Sequence, residues 1–425
     1  MVEKLKAGPV RRRKDPLNRL CGLLSGEPPA IPRANTGALR PDFLGIIPTR
    51  SCNLNCVYCA FGASGSCDDT MEISLAAAAV SWMAEYIQAI RQNTLEIHFF
   101  GGEPFVASDV VDVTVHKARL CAQRYGLKHR FEVSTNGFFD DSRCLFIGDY
   151  FDTVVLSLDG PEEIHNRYRP VKNGTGSFST VAGNAQRLST MPVELCIRAC
   201  VTQETVGGLD HILSWLCTNF KPSSISFEPL QPSLDNDGSG LHPPNPWTFA
   251  TSFFRSYVSA VSHGVDLIYS PASVHTVRHT FCPVGRDTII VSPDGRISAC
   301  YLLEKEWIKR DLDLKMGCID SSGNVDFNLA AVARVRNLTS PGPRCRHCLA
   351  RWHCAGACHV NHSYPGCPVI YDDVCIQTRI LTVCLLLYEL GYQAEAERLL
   401  DDRPELERIV YRASDCLIDW GEYEN

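Results

Sequence analysis

The sequence predicts an α/β protein: a parallel sheet with crossover helices, followed by a cysteine-rich region of different organisation. Three observations predict it. Between residues 41 and 235, strand-like runs and helix-like runs alternate through six repeats. Short motifs rich in Gly, Ser, Asn and Asp follow the strand runs, at the ends where parallel α/β folds carry their chemistry. Beyond residue 281 the alternation gives way to an ordered series of cysteines, from Cys282 to Cys375.

The strand runs are Phe43–Pro48, Leu95–Phe100, Arg130–Val133, Thr153–Leu156, Val193–Ile197 and Ser224–Phe227. Each is short, apolar or alternating, and rich in β-branched or aromatic residues. The helix candidates are the alanine-rich Ile73–Arg91, then Asp109–Tyr125, Phe178–Ser189 and Gly208–Phe220. Residues 231–247 are turn-rich and without period, and Thr248–Ser262 follows as an amphipathic helix with Phe249, Phe253, Phe254 and Val258. In the cysteine-rich region, Pro293-Asp294-Gly295 separates Thr288–Val291 from Arg296–Ala299 and predicts a hairpin. The tail offers two amphipathic helices, Arg379–Leu390 and Ala394–Val410, which are expected to pack on the body of the protein. Residues 1–40 hold five prolines and one short helix candidate, Pro16–Leu24.

Bulk properties exclude several function classes. At 425 residues the chain has room for two or three domains. A net charge of −7 and a pI near 6.0 argue against a nucleic-acid-binding surface. Residues 1–40 carry nine Lys/Arg against three Asp/Glu. The cluster Arg11-Arg12-Arg13-Lys14 is therefore a solvated basic arm or a contact for an acidic partner. The longest apolar run, Ile380–Tyr388, is far below the roughly 20 residues a membrane span needs. Twenty-one cysteines without an apolar N-terminal signal point to a reducing, cytoplasmic setting in which thiols bind metal.

The stretch Cys52-Asn-Leu-Asn-Cys56-Val-Tyr-Cys59 follows the first strand run. Three thiolates satisfy three irons of a four-iron cubane and leave the fourth open, whereas an electron-carrying cluster normally has four protein ligands. A zinc loop would instead need a closed four-ligand shell. The pattern Cys-x-x-x-Cys-x-aromatic-Cys resembles that of the radical SAM enzymes, in which S-adenosylmethionine (SAM) chelates the open iron and is cleaved reductively to begin hydrogen abstraction.

The resemblance implies a partial (β/α)6 TIM-type barrel with a C-terminal cysteine-rich SPASM domain holding two auxiliary clusters. It places Tyr58 near the adenine, where a strand-end core aromatic is the alternative. Gly101, Gly102 and Glu103 would hold the SAM amino group. Ser134 and Asn136, with Ser157, would contact the ribose and the methionine carboxylate, and the fork of Arg198 suits that carboxylate. Singly, each motif is also a plausible turn. The run Ile164-His165-Asn166, Arg169 and Gly174–Phe178 narrows the resemblance to sulfatase-maturing enzymes and radical SAM peptide maturases. His165 is either a proton donor or a buried residue fixing its loop, the second being favoured.

The later cysteines resemble the seven-cysteine layout of the SPASM domain; zinc knuckles are the alternative. By that resemblance Cys282, Cys300 and Cys358 would hold the first auxiliary 4Fe-4S cluster. Cys345, Cys348, Cys354 and Cys375 would hold the second, with Cys367 a substitute for Cys375. Relatives carry one more cysteine after the first; here Pro283–Thr288 has none. The first auxiliary cluster then has an open iron, or a ligand in Cys318 or Asp287. Cys121, Cys144, Cys196, Cys200, Cys217 and Cys384 are expected to be small core residues.

Five regions follow: a basic arm (1–40), a radical SAM partial barrel (41–235), a bridge (236–280), the auxiliary-cluster domain (281–377) and a helical tail (378–425). The expected enzyme uses SAM and three 4Fe-4S clusters to abstract hydrogen from a ribosomally made precursor peptide, with a thioether or carbon–carbon cross-link as product. Its partners are an external electron donor of flavodoxin or ferredoxin type and a separate leader-peptide-binding protein. Formylglycine formation in a sulfatase, dehydrogenation or epimerisation of a small molecule, and a non-catalytic iron–sulfur or zinc module are the competing expectations.

Overall fold

The computed structural model describes residues 37–415 except positions 38, 60 and 279 and the segments 62–68, 232–239, 283–286, 309–310, 339–344, 346–347 and 359–372. The Pro16–Leu24 helix candidate, Cys367 and most of the turn-rich stretch before residue 246 lie outside the described residues.

All six expected strands form and pair in chain order as parallel neighbours: β1 (Leu44–Ile46), β2 (Thr94–Phe99), β3 (Lys128–Thr135), β4 (Thr153–Ser157), β5 (Glu194–Val201) and β6 (Ser224–Pro229). The row continues at both ends. β7 (Asp266–Ile268) pairs parallel to β6. On the other side, β8 (Ile289–Val291) lies parallel to β1, and β9 (Arg296–Ser298) returns antiparallel to it as the expected hairpin. β10 (Lys315–Ile319) and β11 (Val325–Phe327) complete an 11-stranded mixed sheet. Hydrogen bonding therefore runs unbroken from the alternating region into the cysteine-rich one. Gly295, at φ +77°, makes the hairpin turn, and a Cβ there would stand 2.3 Å from the Ile319 carbonyl oxygen.

Crossover helices join the parallel strands: α1 (Ile73–Ala89), α2 (Ser108–Tyr125), α3 (Asp141–Tyr150), α4 (Glu162–Tyr168), α5 (Phe178–Leu188) and α6 (Leu209–Phe220). Sequence periodicity missed α3 and α4, whose short length carries little periodic signal. Local chemistry marks the first of them: the Asp140 side chain accepts from the Arg143 amide at the N-cap. The bridge forms α7 (Pro246–His263), capped by the Asn245 carboxamide, opened by Pro246 and closed by left-handed Gly264.

In the cysteine-rich region, α8 (Glu304–Ile308), α9 (Leu329–Asn337) and α10 (Arg351–Cys354) are short. The tail forms α11 (Asp373–Glu389), α12 (Gln393–Asp401) and α13 (Arg403–Asp415), the last two divided just before Pro404. Helix α11 packs on α7, where the Tyr388 ring meets Phe254 and Tyr257 at 6.3 and 5.5 Å. No helix among the described residues is long and apolar enough to cross a membrane.

Burial alternates along β2, β3, β5 and β6. Leu95, Ile97, Phe99, Phe131, Val133, Leu195, Ile197, Ile225 and Phe227 join the helices in one apolar core. The opposite parity, including His98, Glu132, Ser134, Ser157, Arg198 and Glu228, is only partly buried or exposed. A parallel sheet covered on both faces would show continuous apolar runs. This sheet instead keeps one polar face accessible.

Candidate active site

The three thiols lie on the loop leaving β1, and glycine brings the next loop against them. Gly102 donates its amide to the Thr49 carbonyl at 3.0 Å, and Glu103 donates to the Ser51 carbonyl at 2.8 Å. A Cβ on Gly102 would fall 2.1 Å from the Ser51 oxygen and 2.5 Å from that of Arg50. Gly101 adopts φ +149°, and a Cβ there would meet the Thr49 oxygen at 2.5 Å. The paired glycines are thus required by backbone approach to the cysteine loop itself.

Glu103 is turned inward and 1% exposed. Its carboxylate accepts from the Phe105 amide (3.2 Å), the Thr135 hydroxyl (2.8 Å) and the Asn136 amide (2.7 Å). Burial pushes its pKa up to about 7 despite these donors. Its side chain therefore ties the β2 loop to the β3 loop rather than facing open space. Asn136 continues that tie: its carboxamide donates to Asn53 Oδ1 at 2.8 Å and approaches Cys52 Sγ at 3.5 Å.

A second node binds the loop after β4 to the thiols. Asp159 is 1% exposed and accepts from Tyr58 Oη (2.5 Å), Arg169 Nε (3.0 Å) and the Cys200 amide (3.0 Å). The other side of the guanidinium reaches Cys56, with Nη1 3.8 Å from Sγ. Its carbon lies 5.3 Å above the Tyr58 ring. Burial disfavours the Arg169 cation, but Asp159, Tyr58 and the thiols of Cys56 and Cys200 outweigh it and raise its pKa. Burial also pushes the Cys56 thiol up to about 12 against the pull of Arg169.

His165 is fully buried, and burial lowers its pKa to about 4. Its Nδ1 accepts from the Asp159 amide (3.4 Å), which puts the proton on Nε2, facing Ser177 Oγ at 3.1 Å. Ser177 donates in turn to the Arg169 carbonyl at 2.5 Å. This is the loop-fixing role, one step removed from the thiols.

Ser134, Ser157 and Arg198 stand on the accessible face, with Arg198 in register between Ser157 and Ser226. Cys196 and Cys200 share the parity of Arg198, so they lie on the accessible face instead of the helix core expected for them. Cys121, Cys144, Cys217 and Cys384 are core residues as expected. Tyr301, one residue after Cys300, also reaches this face. Its ring packs on Phe100 at 4.8 Å, and its buried hydroxyl has no hydrogen-bond partner among the described residues.

The later thiols fall into two groups. Cys300 interacts electrostatically with Cys358 and Cys282, and burial pushes it up to about 12. Cys354, also pushed up to about 12 by burial, interacts with Cys348 and Cys345. Cys375 lies in the first turn of α11. Asp287, one of the candidate ligands, is 2% exposed and holds Arg336 through two bonds of 2.6 and 2.8 Å. Cys318 is exposed on β10, in register with Arg296 and Asp326. Among the described residues, no His, Cys, Asp and Glu group forms a compact site for a single metal ion.

The first-loop donor set suits an iron–sulfur cluster, whose ligand sulfurs are held and tuned by surrounding hydrogen-bond donors. Here the Leu54 amide and the Asn136 carboxamide address Cys52 at 3.5 Å, and Arg169 addresses Cys56. Sequence reading missed the Asp159–Arg169 pair; the signal available was the Asp159 to Arg169 interval bracketing a helix that returns to the loop.

Comparison with known proteins finds the following likenesses. Residues 46–215 match the radical SAM superfamily. A serine-type anaerobic sulfatase-maturating enzyme of Klebsiella aerogenes is 24% identical over 335 residues, 73% of this chain and 78% of that protein. The structure of anSMEcpe with bound AdoMet and Cp18Cys peptide superposes with a TM-score of 0.63 at 20% identity, covering 85% of this chain and all of that one. Streptococcus suis SuiB bound to S-adenosylmethionine gives 0.54 at 14% identity, covering 76% and 73%.

Proposed function

We propose that this chain, a radical SAM enzyme resembling the anaerobic sulfatase-maturating enzymes, holds a 4Fe-4S cluster on Cys52, Cys56 and Cys59 and modifies a residue of a peptide substrate. One observation carries the reading. Three thiols, surrounded by donors to sulfur, sit at the carboxyl-end loop of β1 beside an accessible polar sheet face. When bound, the cluster and SAM supply hydrogen abstraction from carbon, which no side chain of the chain can perform.

The chain's own residues bind and orient. Backbone carbonyls at Gly101–Gly102 are the groups left for the SAM amino function, because the Glu103 carboxylate is committed to β3. Ser134, Asn136 and Ser157 line the ribose and carboxylate side. Arg198 makes no ion pair among the described residues, which leaves its fork for a carboxylate. Tyr58 spends its hydroxyl on Asp159 and keeps a ring face for the adenine.

The groups Cys282/Cys300/Cys358 and Cys345/Cys348/Cys354, the second with Cys375, would hold the auxiliary clusters. A peptide substrate is supported by the bound peptides in similar structures and by the polarity of the accessible sheet face. With three thiols and a committed Asp287, the first auxiliary site keeps a position for a substrate sulfur. That favours a thioether, with a carbon–carbon link next. Formylglycine formation is the second reading, favoured by the sulfatase-maturating relatives. An external flavodoxin or ferredoxin and a separate leader-binding protein complete the proposed partners.

Anaerobic reconstitution should load about 12 irons per chain for three cubanes. SAM with a strong reductant should yield deoxyadenosine, and Cys56→Ala should abolish it. Deoxyadenosine formation surviving in that variant would refute the assignment. Mass spectrometry of cysteine-containing peptides and of a sulfatase peptide incubated with the enzyme separates the two product readings.

A further inference from the structure

We infer that the Arg169 guanidinium, held by Asp159, is a positioning and tuning residue that sets the reduction potential of the first-loop cluster. The inference rests on the proposed ligation by Cys52, Cys56 and Cys59.

Backbone contacts explain how the side chain gets there. Residues 168–171 run alongside the cysteine loop. The Asn55 amide donates to the Pro170 carbonyl at 2.8 Å, and the Val57 amide to the Tyr168 carbonyl at 3.0 Å. Leu54 and Val171 form an antiparallel bridge. These main-chain bonds join the two segments whatever residue 169 is, so the scaffold and the charge are separable.

The guanidinium is polarised in its placement. Nε faces the Asp159 carboxylate at 3.0 Å, while Nη1 faces Cys56 Sγ at 3.8 Å. The cation thus stands between the carboxylate and the sulfur. The two side chains are 11% and 0% exposed, so solvent and salt screen them little. A cubane with three thiolate ligands is anionic and gains a further negative charge on one-electron reduction. A cation at this distance from a ligand sulfur stabilises the reduced form more than the oxidised one. The Asp159 charge, on the far side, opposes it and fixes its direction. Hydrogen bonding to ligand sulfur acts in the same sense.

Two members of one ion pair should therefore move the potential in opposite directions, which a structural role would not do. The test uses the full-length, anaerobically reconstituted protein. Electron paramagnetic resonance is recorded at fixed solution potentials, and the signal that changes on adding SAM identifies the first-loop cluster. Arg169→Gln should lower its reduced-to-oxidised ratio at least tenfold, a shift of 59 mV for a one-electron couple. Arg169→Lys should recover most of that ratio, and Asp159→Asn should raise it.

A ratio within twofold of wild type in Arg169→Gln would overturn the inference. Shifts of the same sign in Arg169→Gln and Asp159→Asn would overturn it too, since both would then report loosening. Should Arg169→Gln assemble no cluster, Asp159→Asn decides alone: a rise supports the inference and its absence refutes it. A wild-type protein with no SAM-responsive signal would overturn the cluster assignment itself, and this inference with it.

Discussion

Adding one methyl group at Gly102 tests how the site is built. Its Cβ would stand 2.1 Å from the Ser51 carbonyl oxygen, against the 3.4 Å at which ordinary contact begins. The cysteine loop would have to retreat by about 1 Å, and the atom in the way is backbone, which cannot swing aside as a side chain can. The retreat breaks the Gly102–Thr49 and Glu103–Ser51 bonds. Two hydrogen bonds at about 1 kcal/mol each and an overpacking cost of roughly 1–3 kcal/mol give a loss of about 3–5 kcal/mol. The displaced loop also carries Cys52, which sits next to Ser51.

Gly102→Ala should therefore lower the denaturation midpoint of the metal-free protein, reduce its iron content and weaken SAM binding. Gly183→Ala is the control. It lies within helix α5 with nothing near its Cβ position, so it should be neutral or gain up to about 1 kcal/mol. Anaerobic denaturation, iron assay and SAM titration of both variants decide the matter. Wild-type stability and SAM affinity in Gly102→Ala would refute the close-approach argument.

Three further perturbations read other parts of the structure. Glu103 has a folded-state pKa raised from 4.5 to about 7, so its contribution to stability is present below pH 4.5 and is lost as pH rises through 7. The loss between those limits is roughly 3 kcal/mol; denaturation midpoints of wild type should fall over that window, and Glu103→Gln should flatten the slope. Asp287→Ala removes two bonds from Arg336, which keeps its bond to the Gly37 carbonyl, and should cost about 3 kcal/mol in denaturant titration, with iron per chain unchanged in reconstituted protein; loss of iron there would mark Asp287 as a ligand. Tyr301→Phe removes a buried hydroxyl that has no partner among the described residues and should stabilise the chain by about 1 kcal/mol, seen as a higher melting temperature.

Much of the fold and of the candidate site was legible in the chain because its constraints are local. The spacing of Cys52, Cys56 and Cys59, the strand–motif order, and the Pro293-Asp294-Gly295 turn all depend on neighbours within a few residues. Strand parity was legible too: Glu194-Leu-Cys-Ile-Arg-Ala-Cys-Val alternates, and alternation in a parallel strand means that one face is uncovered. Attention to that parity would have placed Cys196 and Cys200 beside Arg198. Short elements escaped because they carry too little period, as with α3, α4 and β7.

Sequence alone determined the class of chemistry, since an incomplete thiolate set and its order among parallel strands are properties of spacing. Tertiary structure decided what each polar group is free to do. Glu103 could have faced a ligand until burial, two donors from the β3 side and the nearby Phe105 amide claimed it. Asp287, a candidate iron ligand from its place in the chain, has both of its oxygens held by Arg336, 49 residues away. Arg169 became part of the site because a carboxylate on a different loop aims it at Cys56. Such long-range pairings satisfy buried charges, and the partner that does so is set by packing rather than by position in the chain.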